Sequence, residues 1–336
     1  STLNGIYPGQ GYGIAMIMVL LSVGILAFNQ RMVGTRKNYT TVTGKSSNIS
    51  LVNLKKARNV ISVIALILIV IVSILPLVSF ALESVILRPG DYSPSNFTLQ
   101  FWIGTAEENS IANNEAGLLR NPNLWKALWN SLKLSIICAI TAGSLGFLAG
   151  YGIVRGRGTK LAKVVDNLAF FPYLMPSMAF SVIYLSMFST RHGPIPALYG
   201  SFFLLVLIGT VKYMPFASRS GINSMLQLSN QIEEAGEIIG VSWPKRMGRL
   251  VIPIQKSSFI SGYLLPFTSC MRELSLFVLL VTPQNRVLTT LLFQYNEKGW
   301  SQYSNGINLM IVIIVLVVNA VVNKVTGASI DKGIGG

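Results

Sequence analysis

Long apolar runs, separated by shorter polar segments, set the pattern of this chain. The hydrocarbon core of a membrane is about 30 Å thick and takes roughly 20 helical residues to cross, so each run of that length predicts a transmembrane helix. Seven runs fit, at Tyr12–Phe28, Val60–Leu82, Leu132–Val154, Val164–Phe188, Tyr199–Ala217, Ser258–Val281 and Gly306–Val322. The pattern therefore predicts an all-α membrane protein with about seven transmembrane helices.

The polar segments between these runs predict the orientation of the chain. Lys and Arg accumulate in loops that stay in the cytoplasm. The segment 29–59 carries seven basic residues and no acidic one, and 155–163 carries four more basic residues. The segment between the second and third runs is acidic, with Asp91, Glu107, Glu108 and Glu115 against Arg88 and Arg120. We therefore expect a multi-pass protein of the cytoplasmic (inner) membrane, with the acidic segment outside and the loop 219–256 in the cytoplasm.

Composition supports this class of protein. Hydrophobic residues make up 51% of the 336 residues and charged residues 12%, which is too few charges to cover a soluble globule of this length. The formal net charge of +15 would suit a nucleic-acid partner, but the basic residues form no stripe with interleaved aromatic residues. We therefore expect membrane lipid, and no nucleic acid, among the partners of the chain.

The segment YTTVTGKS at Tyr39–Ser46 ends in the Gly-Lys-Ser of a phosphate-binding loop. The full pattern requires a glycine where Tyr39 stands and an apolar strand before it, and neither is present. This chain is therefore not expected to hydrolyse ATP or to hold a cofactor of its own.

Metal-binding and nucleophilic residues are sparse. Cys138 and Cys270 lie within apolar runs, without a CxxC spacing or a neighbouring histidine, and are interpreted as small buried hydrophobic residues. His192, the single histidine, lies in a short loop beside Arg191 without partner ligands. The sequence therefore predicts no metal site and no catalytic residue, and the protein is not expected to be an enzyme.

The segment EEAGEIIGVSWPKRMGRLVIP, Glu233–Pro253, begins in an amphipathic helix within the loop 219–256. At about 100° per residue, the apolar positions 228, 232, 235, 236 and 239 share one face, and Glu233, Glu234 and Glu237 share the other. Gly240, followed by Pro244, ends the helix. A helix on the anionic inner leaflet favours Lys and Arg on its polar face. The glutamates therefore favour docking into a protein over a position on the membrane surface.

These residues resemble a known motif. The spacing of Glu234-Ala235-Gly236, Gly240 and Leu250-Val251-Ile252-Pro253 is similar to the EAA loop of permease subunits in binding-protein-dependent ABC importers. Gly236 replaces the second alanine of the motif, Leu250 an isoleucine and Ile252 a leucine. The resemblance implies the type I ABC importer permease fold. It also implies a coupling segment that fits a groove of a cytoplasmic ABC ATPase dimer, and this ATPase would carry ATP and Mg²⁺. The residues of the coupling segment would be Glu233, Glu234, Ala235, Gly236, Glu237, Gly240 and Pro253.

Two further stretches narrow the resemblance. MRELSLFVLLVTP at Met271–Pro283 and YTTVTGK at Tyr39–Lys45 resemble the iron(III)-type permeases, in which two halves are fused in one polypeptide. The resemblance implies that this chain is a C-terminal half. Residues 1–30 would then be the last helix of a preceding half, and residues 31–58 would be a basic cytoplasmic connector. Residues 59–125 would form the first helix of the second half and an external loop. Residues 126–325 would form the permease core, with its coupling loop at 228–253, and residues 326–336 would be a cytoplasmic tail.

Arg272 and Glu273 are adjacent charges inside a predicted span. Each costs about 2.5 to 3.5 kcal/mol at the centre of a membrane helix, so both are expected to face the bundle interior or a water-filled cavity. Neighbouring helical residues point about 100° apart, so we expect them to pair with other helices rather than with each other. Two interpretations stay open: a structural ion pair, and a lining of the translocation path or of its outer gate.

The resemblance implies that the chain passes a solute from an extracytoplasmic solute-binding protein into the cytoplasm, together with a second permease half or a second permease chain. The iron-type branch favours ferric iron as the solute. Its relatives carry sugar phosphates, phosphonates, polyamines or thiamine, and these remain alternatives. A secondary transporter or a channel, which would work without an ATPase, is the alternative from another class.

Overall fold

The computed structural model of the chain describes residues 57–326, except residue 192 and the side chains of residues 110 and 111, together with scattered positions between 13 and 25. The predicted first span Tyr12–Phe28, the segment 31–56, His192 and the tail from residue 327 lie wholly or largely outside the described residues. The expectations for them therefore stay predictions.

The described part of the chain consists of helices and the loops between them, and an isolated β-bridge joins Ile86 to Phe97. The helices that position the site are α1 (Arg58–Glu83), α2 (Pro122–Arg155), α3 (Lys160–Leu174), α4 (Ser177–Phe188), α5 (Phe202–Gln227), α6 (Asn230–Ile238), α7 (Lys256–Met271), α8 (Leu288–Glu297) and α9 (Ser301–Thr326). A π-helical turn at Val70–Ile74 interrupts α1, and another at Met247–Val251 lies between the short helices Trp243–Arg246 and Ile252–Ile254.

Four of the described helices are long and apolar enough to cross a membrane by themselves, namely α1, α2, α5 and α9. They confirm the predicted spans Val60–Leu82, Leu132–Val154, Tyr199–Ala217 and Gly306–Val322. The pair α3 and α4 would add a fifth span if it is counted as one. The described residues therefore contain fewer spanning helices than the seven expected from the whole sequence.

The predicted span Val164–Phe188 is bent. Helices α3 and α4 meet at an angle of 104°. Met175 between them has an extended backbone, with φ −87° and ψ 130°. Pro176 explains the break, because the ring of a proline disfavours helical backbone angles at the residue before it.

The predicted span Ser258–Val281 was wrong in its second half. Helix α7 has 16 residues and ends at Met271, so it is shorter than the roughly 20 residues that cross a bilayer. Residues 272–281 continue in turns. The carboxylate of Glu273 accepts a hydrogen bond from the backbone N–H of Leu276 at 3.0 Å, which satisfies a donor that a continuing helix would have bonded internally.

Helices α2 and α5 form the centre of the bundle and approach each other closely at two glycines of α2. A Cβ atom at Gly146 would lie 2.5 Å from the Cβ of Ala217, and one at Gly150 would lie 2.7 Å from the backbone nitrogen of Ile222. Such small residues allow backbone contact between membrane helices, where van der Waals packing replaces the hydrophobic driving force.

Residues 84–121 fold over the Pro122 end of α2, against α8 and the start of α9. Phe101, Leu118 and Tyr303 lie in the apolar cluster that joins these elements. Within this cluster Tyr295 donates a hydrogen bond to Oε1 of Glu115 at 2.8 Å and accepts one from Nδ2 of Asn121 at 2.9 Å. Burial, followed by the hydrogen bond to Glu115, raises the pKa of Tyr295, so its hydroxyl stays protonated and acts as a donor.

Candidate functional site

Helix α6 lies where the amphipathic pattern predicted a coupling helix, and both of its ends are capped. The Oγ of Ser229 accepts a hydrogen bond from the backbone N–H of Gln231 at 3.3 Å. At the other end Gly240 has φ +75°. The N–H of Gly240 donates to the carbonyl of Glu237 at 2.9 Å, and the N–H of Val241 donates to that of Gly236 at 3.0 Å. This is a Schellman motif, and it confirms the predicted helix end at Gly240.

The first glutamate of the segment faces inward. Glu233 is 7% exposed and accepts hydrogen bonds from Nε of Arg155 at 3.0 Å and from the hydroxyl of Tyr151 at 2.9 Å. Both partners belong to the last turns of α2. The expectation that Glu233 shares an outer face with Glu234 and Glu237 was therefore wrong. The physical reason is that Arg155, at the C-terminal end of α2, binds this carboxylate and holds it against the bundle.

Gly236 also faces the chain's own residues. A Cβ atom at this position would lie 3.0 Å from Cδ of Arg246 and 3.5 Å from Cδ1 of Leu250. Arg246 in turn pairs with Glu237, its Nη1 lying 3.3 Å from Oε2 of that glutamate. The following loop therefore packs directly on Gly236, where a larger side chain would meet Arg246.

The outer face of α6 differs from the predicted one. Glu234, Ala235 and Glu237 are exposed, as are the apolar residues Ile238 and Ile239 at 85% and 77%. Leu228, which was expected on the same face as Ile239, is buried. The position of Ile238 on this face was not predicted, although it lies four residues after Glu234 and so shares its side of the helix. We call Glu234, Ala235, Ile238 and Ile239 the outer face of α6.

The loop after α6 is held against the bundle by a few buried anchors. Met247 and Val251 of the π-helical turn pack in an apolar cluster with Phe147 of α2. The ring of Trp243 lies edge-on to that of Tyr151, with centroids 5.8 Å apart. Pro253 is exposed in the short helix that follows. The contacts of α6 and of this loop together join the segment 228–253 to the Arg155 end of α2.

Arg272 and Glu273 lie at a second place, where α7 ends inside the bundle. Glu273 accepts a hydrogen bond from the hydroxyl of Tyr213 on α5 at 3.3 Å, whereas Nε of Arg272 donates to the carbonyl of Thr268 on its own helix at 3.2 Å. The expected pairing with another helix holds for Glu273 only. The two residues line a cavity of about 390 Å³ with Tyr173, Ser177, Lys212, Tyr213, Phe216 and Ser269.

Lys212 joins this cavity from the middle of α5 and was not singled out in the sequence. Its Nζ donates to the carbonyl of Pro172 at 3.1 Å and to that of Met175. These carbonyls belong to the C-terminal end of α3, where a cation is favoured by the helix dipole. A lone lysine inside an apolar run, an expensive position for a charge, was the signal that could have identified it.

The described residues contain no group of three or more His, Cys, Asp or Glu side chains placed to hold a metal ion. Cys138 and Cys270 are both buried free thiols. Cys138 lies in the apolar cluster with Cys270, Leu134 and Ile208, as expected for a small hydrophobic residue.

Comparison with known proteins identifies the class of the chain. The family described as binding-protein-dependent transport system inner membrane component matches residues 142–329, which is more than half of the chain and includes α6, its loop and the cavity.

The chain is also similar to two curated permeases. A 2-aminoethylphosphonate transport system permease protein of Salmonella typhi is 22% identical over 242 residues, covering 72% of this chain and 84% of that protein. An Fe(3+)-transport system permease protein of Haemophilus influenzae is 24% identical over 189 residues, covering 56% of this chain and 36% of that protein.

A solved structure shares the fold. The bacterial alginate ABC transporter, crystallised in complex with an alginate pentasaccharide-bound periplasmic protein, contains a chain that superposes with a TM-score of 0.60 at 12% identity, covering 81% of this chain and 96% of that chain. At this identity the likeness shows the fold and not the solute. The chain belongs to the family of inner membrane components of binding-protein-dependent transport systems, and it is a permease subunit with the type I ABC importer fold.

Proposed function

We propose that this permease is driven by a separate cytoplasmic ABC ATPase dimer, which binds ATP and Mg²⁺ and engages the outer face of α6. The observation that supports this proposal is that the outer face exposes a glutamate and two isoleucines, while the opposite side of the same helix is bonded to α2. Exposed apolar residues next to a charged one are typical of a site for a protein partner. Movement of the ATPase would then reach the membrane through α6.

The sequence resemblance supports the remaining partners of this proposal. An extracytoplasmic solute-binding protein delivers the solute to the side of residues 84–121. A second permease half or a second permease chain supplies another coupling segment, because one ATPase dimer presents two grooves. In the fused arrangement that the connector residues resemble, the second half would belong to the same polypeptide. Arg272 and Glu273 line the translocation path or its outer gate in this proposal.

Two solutes are supported by observations. Ferric iron follows from the resemblance of Met271–Pro283 to iron(III)-type permeases, and the similar protein of Haemophilus influenzae is named for Fe(3+) transport. A phosphonate is the second candidate, because the similar protein of Salmonella typhi is named for 2-aminoethylphosphonate and is matched over more of its length. The cations Arg272 and Lys212 in the cavity favour this second candidate.

The coupling proposal is tested at Glu234. The full chain is purified with its ATPase partner, and ATP-dependent uptake and ATPase stimulation are measured in proteoliposomes for the parent and for Glu234→Lys. We expect the variant to insert normally, to lose uptake and to lose ATPase stimulation, since the charge of the outer face is reversed. Normal uptake and stimulation in Glu234→Lys, or full transport by the chain without any ATPase, would remove the coupling assignment.

A further inference from the structure

The cavity at the end of α7 has an unbalanced charged wall. Lys212 and Arg272 contribute two cations, and Glu273 contributes one carboxylate. Hydroxyl groups of Tyr173, Ser177 and Ser269 complete its polar lining. A charge inside a membrane protein costs free energy unless it is neutralised or hydrated. A cavity wall with one more cation than carboxylates therefore favours the binding of an anion.

The partners of Glu273 occupy both of its oxygens. Oε1 accepts the N–H of Leu276 at 3.0 Å, and Oε2 accepts the hydroxyl of Tyr213 at 3.3 Å. This carboxylate is thus oriented by the protein's own donors and does not form an ion pair with Arg272. It is a poor starting point for a cation site, because its lone pairs are partly used and a lysine lies in the same wall.

Arg272 is the group left to face the cavity. It is exposed, and within the part of the chain that the structure describes its hydrogen bond runs from Nε to the carbonyl of Thr268. Ion pairs in the described part of the chain join Arg155 to Glu233, Arg219 to Asp166 and Arg246 to Glu237, and Arg272 is in none of them. A guanidinium is always charged and presents a planar fork of donors that matches the oxygens of phosphonates, phosphates and carboxylates.

We propose that this cavity binds a small oxyanion, with Arg272 as its forked donor and Lys212 as the second cation. The part of this inference that concerns transport rests on the proposed function. A volume of about 390 Å³ lies within the range of small-molecule sites. A bare ferric ion does not fit, because a hard cation requires several oxygen ligands and this wall offers one carboxylate beside two cations. The oxyanion is either the solute itself or the anionic ligand of an iron complex.

A thiol-protection experiment tests this site without requiring transport. Ser177→Cys is introduced into the full chain in membrane vesicles, with Ser269→Cys as a second reporter in case the first is not reactive. The rate of modification by a small thiol reagent is measured with inorganic phosphate, 2-aminoethylphosphonate, citrate, ferric citrate or ethylammonium. Ser95→Cys, an exposed position outside the cavity, serves as the control thiol.

We expect 2-aminoethylphosphonate or phosphate to slow modification about threefold, which corresponds to two-thirds occupancy. This protection disappears in Arg272→Gln, is partly kept in Arg272→Lys and is kept in Lys298→Gln, which neutralises a cation outside the cavity. Protection by ferric citrate but not by citrate or the free phosphorus oxyanions identifies an iron complex as the source. Protection by ethylammonium alone, or equal protection in Arg272→Gln, overturns the proposal, as does no protection by any anion at either reactive thiol.

The same readout separates this inference from the coupling proposal. If oxyanions protect the thiol while ATP-dependent uptake is absent, the cavity site stands and the proposed function fails. If uptake depends on Glu234 while no oxyanion protects the thiol, the coupling proposal stands and the cavity inference is overturned.

Discussion

Arg155 at the end of α2 and Glu233 in α6 form a largely buried ion pair, with Nε of the arginine 3.0 Å from Oε1 of the glutamate. Arg155 also donates a hydrogen bond to Oδ1 of Asn230, at the start of α6. The hydroxyl of Tyr151 donates to the carboxylate of Glu233. Because α2 is long enough to span the membrane, the pair joins the segment 228–253 directly to a membrane helix. Breaking it would let α6 move without α2.

We predict that Glu233→Gln and Arg155→Gln each lower ATP-dependent uptake several-fold. Each variant leaves a partner without its counter-charge. Loss of one member of a fully buried pair costs about 3–5 kcal/mol, and this pair should cost less because the arginine side chain is 18% exposed. The reversed pair, Arg155→Glu with Glu233→Arg, should recover part of the uptake. Asp166→Asn is the control, because the Arg219–Asp166 pair is partly exposed and such pairs contribute about 0–1 kcal/mol. Equal losses in all variants, without recovery in the reversed pair, would argue against this role.

A second prediction concerns the backbone of Gly240. Its φ of +75° is unfavourable for residues with a Cβ, by roughly 1–2 kcal/mol for a left-handed helical conformation, although no atom lies within 4 Å of the position a Cβ would take. Gly240→Val should therefore weaken retention of the ATPase on co-purification, and Gly240→Asn should do so less. Gly248→Ala also meets open space but lacks a positive φ, so it should behave like the parent. A Gly240→Val chain that retains the ATPase fully would contradict the importance of this turn.

A third prediction concerns the contact of α2 with α5. Gly146→Val should lower the melting temperature of the detergent-solubilised chain, because a side chain there overlaps Ala217, and overpacking costs typically about 1–3 kcal/mol. Gly152→Val lies on the same helix with nothing within 4 Å of the added Cβ, and it is the matched control. Similar melting temperatures for the two variants would mean that the helices can separate at Gly146 without loss.

The orientation of the chain makes a fourth prediction. A cysteine at Ser95 should react with an impermeant thiol reagent in intact cells, whereas one at Arg157 should react only after the membrane is opened. Both positions are exposed, and the native Cys138 and Cys270 are buried, so the background labelling should be low. The reverse labelling pattern would invert the topology and place α6 on the wrong side for an ATPase.

The membrane-spanning helices and the end of α6 were predictable from the sequence because each depends on residues that are close together in the chain. The length of an apolar run determines whether a helix can span a membrane, and Val60–Leu82 and Gly306–Val322 were recognisable for that reason. The end of α6 was predictable from Gly240, because a Schellman motif involves neighbouring residues only. The bend at Met175 was also accessible from the proline that follows it, although the apolar run alone suggested a single span.

By itself the sequence determined that this is a helical membrane protein, since that follows from the length of its apolar runs, and a contiguous motif gave its resemblance to the permeases with an EAA loop. Tertiary structure decided which side of α6 is outward, because the cation that draws Glu233 inward lies 78 residues away in α2. It also decided that α7 stops at Met271 beside a cavity shared with Lys212, 60 residues before Arg272. Helical periodicity distinguishes the sides of a helix, but only the packing of distant segments determines which side faces the protein.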